Sequence, residues 1–239
     1  MERRPDKEEL FTLIRFNMSN SVSSSSSRRK PGSRGLFWAP VFTGVTAVFV
    51  FGCVWAQEGV QSVAAVRPLP FYIYREFHSR DNHFAPSGWM GDYGDVRFDD
   101  HWPSKGLFGA KTVIRVAYSA EGKQGNGWAG MYWQNPANNW GSRPGGFNLN
   151  GARKLVFKAR GEKGGEIVDE FKVGGISGDY ADSGTAASGP ITLAKQWKEF
   201  SIDLDGQELS SITGGFCWTI SRDHNPDGAV FYLDDIRYE

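Results

Sequence analysis

Trp197-Lys-Glu-Phe-Ser-Ile-Asp-Leu204 sets Phe200, Ile202 and Leu204 on one side of an extended chain, and Trp197, Glu199, Ser201 and Asp203 on the other. This period of two marks a strand with one face in a core and one in water. Lys154-Leu-Val-Phe-Lys-Ala159 repeats it, with Leu155, Phe157 and Ala159 opposed to Lys154, Val156 and Lys158. Outward from these two, short aromatic or β-branched runs recur at Phe71–Phe77, Thr112–Tyr118, Trp128–Trp133, Ile167–Val173, Phe216–Ile220 and Val230–Tyr238, with Gly, Pro, Asn and Asp clusters between them. The pattern predicts an all-β fold over residues 70–239, a two-sheet antiparallel β-sandwich of the jelly-roll kind, long enough for one core. The helical pattern is confined to Gln207–Ser211, about one turn.

The 239 residues hold 27 basic and 27 acidic side chains, 40% hydrophobic and 14% aromatic residues and two cysteines, which excludes a disordered chain or a disulfide scaffold. Neutrality is a sum of unlike parts. Residues 1–35 carry eight basic side chains against four acidic, residues 36–56 carry none, and residues 57–239 carry nineteen against twenty-three. A mildly acidic domain behind a basic leader argues against nucleic acid as a partner and leaves a neutral glycan the easier one.

Residues 1–35, with the serine run Ser23–Ser27, read as a disordered basic leader. Residues 36–56 are apolar, follow Arg28, Arg29, Lys30 and Arg34, and end in Val54-Trp-Ala56, the pattern of an export signal cut after Ala56. Two rival readings remain: an uncleaved membrane anchor, which would be the one contact with a membrane, and a lipidated Cys53. Met18 is an alternative start. All three readings put the domain outside the cytoplasm, extracellular, periplasmic or on the cell surface, after a linker at residues 57–69. Cys217 sits in an apolar strand pattern and reads as a buried, inert thiol.

Gly125-Asn-Gly-Trp-Ala-Gly-Met-Tyr-Trp-Gln-Asn-Pro-Ala-Asn-Asn-Trp-Gly141 is the richest segment for chemistry. A saccharide needs flat aromatic platforms beside amide or carboxylate hydrogen-bonders. Trp128, Tyr132, Trp133 and Trp140 offer the first; Gln134, Asn138 and Asn139 offer the second. Trp89, in another glycine-rich stretch, joins them. Alternation divides Trp128, Gly130 and Tyr132 from Ala129, Met131 and Trp133, so one set belongs to the core.

Asp223-His-Asn-Pro-Asp-Gly-Ala-Val-Phe-Tyr-Leu-Asp234 has the spacing of a calcium loop, yet Asn-Pro-Asp-Gly between strands is itself a turn sequence, and the turn is the preferred reading. Asp234 and Asp235 are adjacent in a strand, so they are expected to face opposite sides, one of them toward the apolar interior or an adjoining loop, where it needs a partner. Asp92, near Asp95, is a candidate to share a structural calcium with Asp234 and Asp235. Glu166, Asp169, Glu170 and Glu199 are carboxylates that a hydrolase would recruit as a pair. No motif frames them, and His78, His83, His101 and His224 lack metal-ligand spacing.

The strand order, the closing Phe231-Tyr-Leu-Asp-Asp-Ile-Arg-Tyr-Glu239, and Ser104-Lys-Gly-Leu-Phe-Gly-Ala-Lys-Thr-Val-Ile-Arg-Val116 leading into a strand resemble the galactose-binding-like jelly-roll carbohydrate-binding modules that accompany polysaccharide-degrading enzymes. The resemblance spans residues from about 70 to 239. It implies the jelly roll, sugar on a sheet face or loop edge, a structural calcium between an N-terminal loop and the last strand, and a separate polysaccharide-degrading enzyme as partner. The expected function is exported, non-catalytic binding of a polysaccharide or glycan. A β-sandwich glycoside hydrolase or polysaccharide lyase is the first alternative, and a structural cell-envelope domain the second.

Overall fold

A computed structural model describes residues 64–106 and 109–239, with side chains left out for 105–110. The leader, the apolar segment with Cys53, and Met18 lie outside the described residues. The chain divides into Met1–Ala56 and Gln57–Glu239, and everything below concerns the second unit.

Thirteen strands follow one another among the described residues: β1 Phe71–Tyr74, β2 Ala85–Gly91, β3 Val96–Gly106, β4 Gly109–Tyr118, β5 Trp128–Gln134, β6 Lys154–Gly161, β7 Ile167–Val168, β8 Glu170–Gly174, β9 Thr185–Ala187, β10 Ile191–Thr192, β11 Lys198–Asp203, β12 Gly214–Ser221 and β13 Ala229–Tyr238. They form two main antiparallel sheets. One runs β11-β6-β13-β4-β3 with β1 also on β13; the other runs β2-β5-β12-β8-β9, while β7 and β10 make a small ladder. The fold is the β-sandwich jelly roll that the sequence predicts.

The core lies between the sheets. Leu155, Phe157 and Ala159 of β6 and Ile202 of β11 point into it, as the alternation requires, and meet Ala129, Met131 and Trp133 of β5 and Phe216, Trp218 and Ile220 of β12. The strand over Ile167–Val173 is interrupted at Asp169, so that β7 and β8 join different sheets. Gln207–Ser211 forms no helix; Leu209 is buried there and its N–H bonds the Asn150 side chain at 2.9 Å, a tertiary contact that one turn of helix would not provide. Ala85–Gly91 is a strand, not a loop. It lies at a sheet edge, where Pro86 costs no ladder bond. β3 is also an edge strand, and its Pro103 and charged residues hide it from pattern reading. Residues 64–69, read as linker, touch the domain: Arg67 N–H donates to Asn148 O at 2.9 Å, and the Asn148 amide donates to Ala64 O at 2.8 Å.

β13 departs from simple alternation. Its register against β6 shifts between Asp234 and Arg237, and Asp235 has φ +54°. This is a β-bulge: one extra residue lets Leu233 and Ile236 both face the core while Asp234 and Asp235 both point to the outer face of the sheet, where Asp234 is buried and Asp235 half-buried. The expectation that one of the two carboxylates faces inward is therefore corrected. Asp234 pairs with Lys111 Nζ at 2.6 Å, and Asp235 with Lys158 Nζ at 3.0 Å and Arg237 at 2.9 Å.

Tyr238, the last residue of β13, is fully buried and its hydroxyl donates to Gly215 O of β12 at 2.6 Å, tying one sheet to the other. Tyr238→Phe leaves that carbonyl without its donor and is expected to lower unfolding free energy by about 1–2 kcal/mol. Urea denaturation checks this; an unchanged midpoint would show that the bond contributes nothing net.

Candidate binding face

On β5 the side chains of Trp128, Gly130, Tyr132 and Gln134 point away from the core, as the burial of Ala129, Met131 and Trp133 between the sheets requires. The antiparallel registers extend this outer face. Tyr132 stands beside Cys217 and Cys217 beside Lys172; Gly130 stands beside Thr219 and Thr219 beside Glu170; Trp128 stands beside Ser221. Met90 of β2 lies on the other side of Gly130. A Cβ at Gly130 would come within 2.8 Å of Trp218 O and 2.9 Å of the Met90 methyl, so only glycine keeps this floor closed and flat.

Tyr132 is buried. Its hydroxyl donates to Gly174 O at 3.0 Å, its ring packs with Ile176 and Cys217, and Trp140 meets it edge-on at 5.9 Å. Burial, with Cys217 and Glu170 alongside, pushes its phenol far above the usual range. Burial does the same to the Cys217 thiol, helped by Glu170. Cys217 is thus the inert thiol that its sequence setting implies. Trp140 remains 43% exposed.

The amides expected to meet a ligand are used otherwise. Gln134 is buried; its amide donates to Asn139 O at 3.1 Å and accepts from Ser87 Oγ at 3.0 Å. Asn139 is buried and donates to Arg143 O at 2.9 Å. Asn138 is exposed, and its backbone N–H donates to Ser87 Oγ at 2.9 Å. These bonds hold the loop that presents Trp140, and Tyr180 N–H closes on Gly141 O at 2.9 Å from the neighbouring loop. A Cβ at Gly141, φ +80°, would lie 2.2 Å from Ser177 O, so the two loops meet only because glycine is there.

Two aromatic residues leave the candidate set. Trp133 is 1% exposed, in the core against Phe98 and Phe216, because its parity on β5 turns it inward. Trp89 stays 38% exposed, but it pairs in register with the core residue Met131 and meets Phe98 edge-on at 6.0 Å, at the border between the sheets and off the outer face. Trp128, half-buried, and Trp140 stay with the face. Glu170, Lys172 and Thr219, all half-buried, join it. The register of β8 and β12 brings them there, and only strand pairing reveals it.

The acids named for metal or catalysis do not assemble. Asp92 is buried and takes the N–H groups of Gln124, Asn126 and Gly127 at 3.0, 2.9 and 2.6 Å, with the Asn126 amide at 3.3 Å. Burial would raise its carboxyl, but these donors outweigh it and hold it below the usual carboxylate range. Asp92 thereby fixes the loop that leads into Trp128, while Asp234 and Asp235 pair with lysines on the other sheet. Asn225, at the third position of the calcium-like loop, spends its side chain on Ile167 N–H and C=O, at 3.1 and 2.8 Å, as a turn brace. Among the described residues, the acid and imidazole groups close enough to share one ion are Asp99, Asp100 and His101, in an exposed part of β3. Of the four carboxylates weighed for catalysis, Glu166 caps the turn at Lys163 and Gly164 and Glu199 lies on β11 of the other sheet, while Glu170 is on this face and Asp169 is engaged at its border by Ser221 and His224.

With this geometry in view, the chain can be set beside known proteins. Solved structures that it resembles include carbohydrate-binding modules. A family 30 module shares 13% identity at a TM-score of 0.47, covering 71% of this chain and 87% of that one. The family 11 module of a Clostridium thermocellum cellulosomal cellulase shares 16% at 0.44, covering 73% and 95%. A variant of a family 29 module shares 10% at 0.39, covering 70% and 89%. No family model matches the chain, and no curated protein matches it in sequence.

Asp92→Asn replaces an acceptor by a donor among N–H groups and is expected to cost about 2–3 kcal/mol at pH 7. Because the folded carboxyl is depressed, its contribution is present above the unfolded value near about pH 4 and is lost as pH falls through the folded value. Urea unfolding from pH 7 to pH 2 should bring the wild type toward the variant. Parallel curves would show that Asp92 carries no such linkage.

Proposed function

We propose that the domain is a non-catalytic glycan binder that takes a saccharide chain across the outer face of β5, β12 and β8. The observation that carries this is the arrangement of that face. Trp140 and Trp128 flank a glycine floor at Gly130, and Glu170, Lys172 and Thr219 supply a carboxylate, an ammonium and a hydroxyl along one side. A sugar ring lays its C–H face on an exposed indole, and its hydroxyls need donors and acceptors at the ring edge. Trp140, standing out of a loop fixed by buried amides, is the rigid platform; Glu170 accepts hydroxyl protons, and Lys172 donates.

Rigidity matters to affinity. Gln134, Asn139 and Ser87 hold the Trp140 loop before any ligand arrives, so little ordering is left to pay for on binding. Read with residues 36–56 as an export signal, the domain would work outside the cytoplasm, where it meets polysaccharide. Asp169, the acid next to Glu170, is already held by Ser221 and His224, which supports binding over cleavage.

Affinity gels and calorimetry with soluble glucan, xylan and mannan test the reading. At least one should bind, Trp140→Ala should weaken it about tenfold or more, Glu170→Gln should weaken it less, and no reducing sugar should appear. Absence of binding to all three, or binding indifferent to Trp140→Ala, would sink it. Trp133→Ala is expected instead to cost about 3–5 kcal/mol of stability while the folded fraction still binds.

A further inference from the structure

The outer face of the six-stranded sheet carries a different cluster. Across β3, β4, β13, β6 and the start of β11 stand Trp102, Arg115, Tyr232, Arg160 and Trp197. Arg115 faces Tyr232 in register, and Tyr232 faces Arg160. Trp197 precedes Lys198, the partner of Ala159, which brings it beside Arg160. The Arg115 guanidinium carbon lies 4.8 Å from the Trp102 ring centre; that of Arg160 lies 3.8 Å from the Tyr232 ring and 5.4 Å from Trp197. Tyr232 is buried beneath them and its hydroxyl donates to Glu162 at 2.7 Å. Trp102 and Trp197 remain 37% and 39% exposed.

A guanidinium stacked on aromatic faces keeps its in-plane N–H edge available to a ligand. Among the described residues no ion pair includes Arg115. Asp99, its partner in register, turns its carboxylate to the His101 N–H at 2.9 Å. Arg160 spends Nη1 on Gly161 O at 3.1 Å, and the carboxylate beside that nitrogen is Glu162, 3.8 Å away and already accepting the Tyr232 hydroxyl. Lys111 and Lys158 on the same face are matched by Asp234 and Asp235. What this face leaves open is the Arg115 fork and the Nε–Nη2 edge of Arg160, and the chemistry complementary to such an edge is a carboxylate, met by two parallel hydrogen bonds. Trp102 lies 6.4 Å from the Tyr232 ring, and the Arg160 carbon 3.8 Å from Tyr232 and 5.4 Å from Trp197, so the two indoles stand no more than about 16 Å apart, the scale of a short oligosaccharide.

We propose that this face is a second binding site, for an acidic glycan whose uronate carboxylates dock on Arg115 and Arg160 while sugar rings stack on Trp102 and Trp197. Glu162 and Glu199 on the same face accept sugar hydroxyls, which a uronide chain offers on every ring. The site uses none of the residues of the β5 face and stands independently of the function proposed there.

Calorimetry of the full-length chain with oligogalacturonate tests it, with a neutral gluco-oligosaccharide and a single-stranded oligonucleotide as comparators. Oligogalacturonate should bind, more weakly as salt is raised. Arg115→Gln and Trp197→Ala should each weaken it about tenfold or more, and Arg115→Lys should not rescue it, since charge without the fork is insufficient. Trp140→Ala should leave oligogalacturonate binding unchanged, which separates this site from the β5 face. Trp197 is exposed at the sheet edge, so its variant reports even if an Arg115 variant unfolds, as thermal melts would show. Absence of oligogalacturonate binding, binding indifferent to both Arg115→Gln and Trp197→Ala, or tighter binding of the oligonucleotide would overturn the proposal.

Discussion

Everything in the sandwich is hung on β13, which pairs with β6 along one edge and with β4 and then β1 along the other. A strand held on both edges has no freedom to slip, because a one-residue shift would turn its whole apolar row outward. Phe231, Leu233, Ile236 and Tyr238 fill the core only because the bulge at Asp235 absorbs one residue. The same bulge decides the outer face. Tyr232, Asp234 and Arg237 line up outside, so the stacked Arg160 and the Lys111 ion pair follow from the demand that the core be filled.

The five-stranded sheet obeys the same parity with a different result. Its inward residues are large aromatics, including Trp133, Phe216 and Trp218, and its outward row on β5 is broken by Gly130. The Met90 methyl lies over the glycine, so the floor there is closed. Polar residues that look like ligand contacts on paper, Gln134 and Asn139 above all, are buried and braced against backbone, because the loop after β5 has few backbone partners of its own. Their bonds turn a Gly/Asn/Pro loop into a fixed mount for Trp140.

The two outer faces differ in electrostatic character, although both present indoles. On the β5 face Glu170 and Lys172 lie along neighbouring rows and complement neutral hydroxyls. On the β13 face the guanidinium groups interleave with rings, and Glu162, the carboxylate beside Arg160, is turned to the Tyr232 hydroxyl. A sandwich keeps such faces apart, since a packed core separates them and neither residue set can reach the other.

Alternation along Lys154–Ala159 and Trp197–Leu204 was enough to establish strands, the inward row and the two-sheet class, because side-chain period is a local property of the backbone. Trp140 was legible for the same kind of reason: no strand pattern surrounds it to bury it. The edge strands Ala85–Gly91 and Val96–Gly106 were not legible, since edge positions tolerate Pro, Gly and charge. Which of Trp128 and Trp133 faces water, whether Asp234 and Asp235 oppose each other, and that Glu170 joins Trp140 while Arg115 joins Trp102 were all decided by tertiary structure. These depend on register and on one bulge, which are set by partners far away in the chain, and no window of sequence contains both partners.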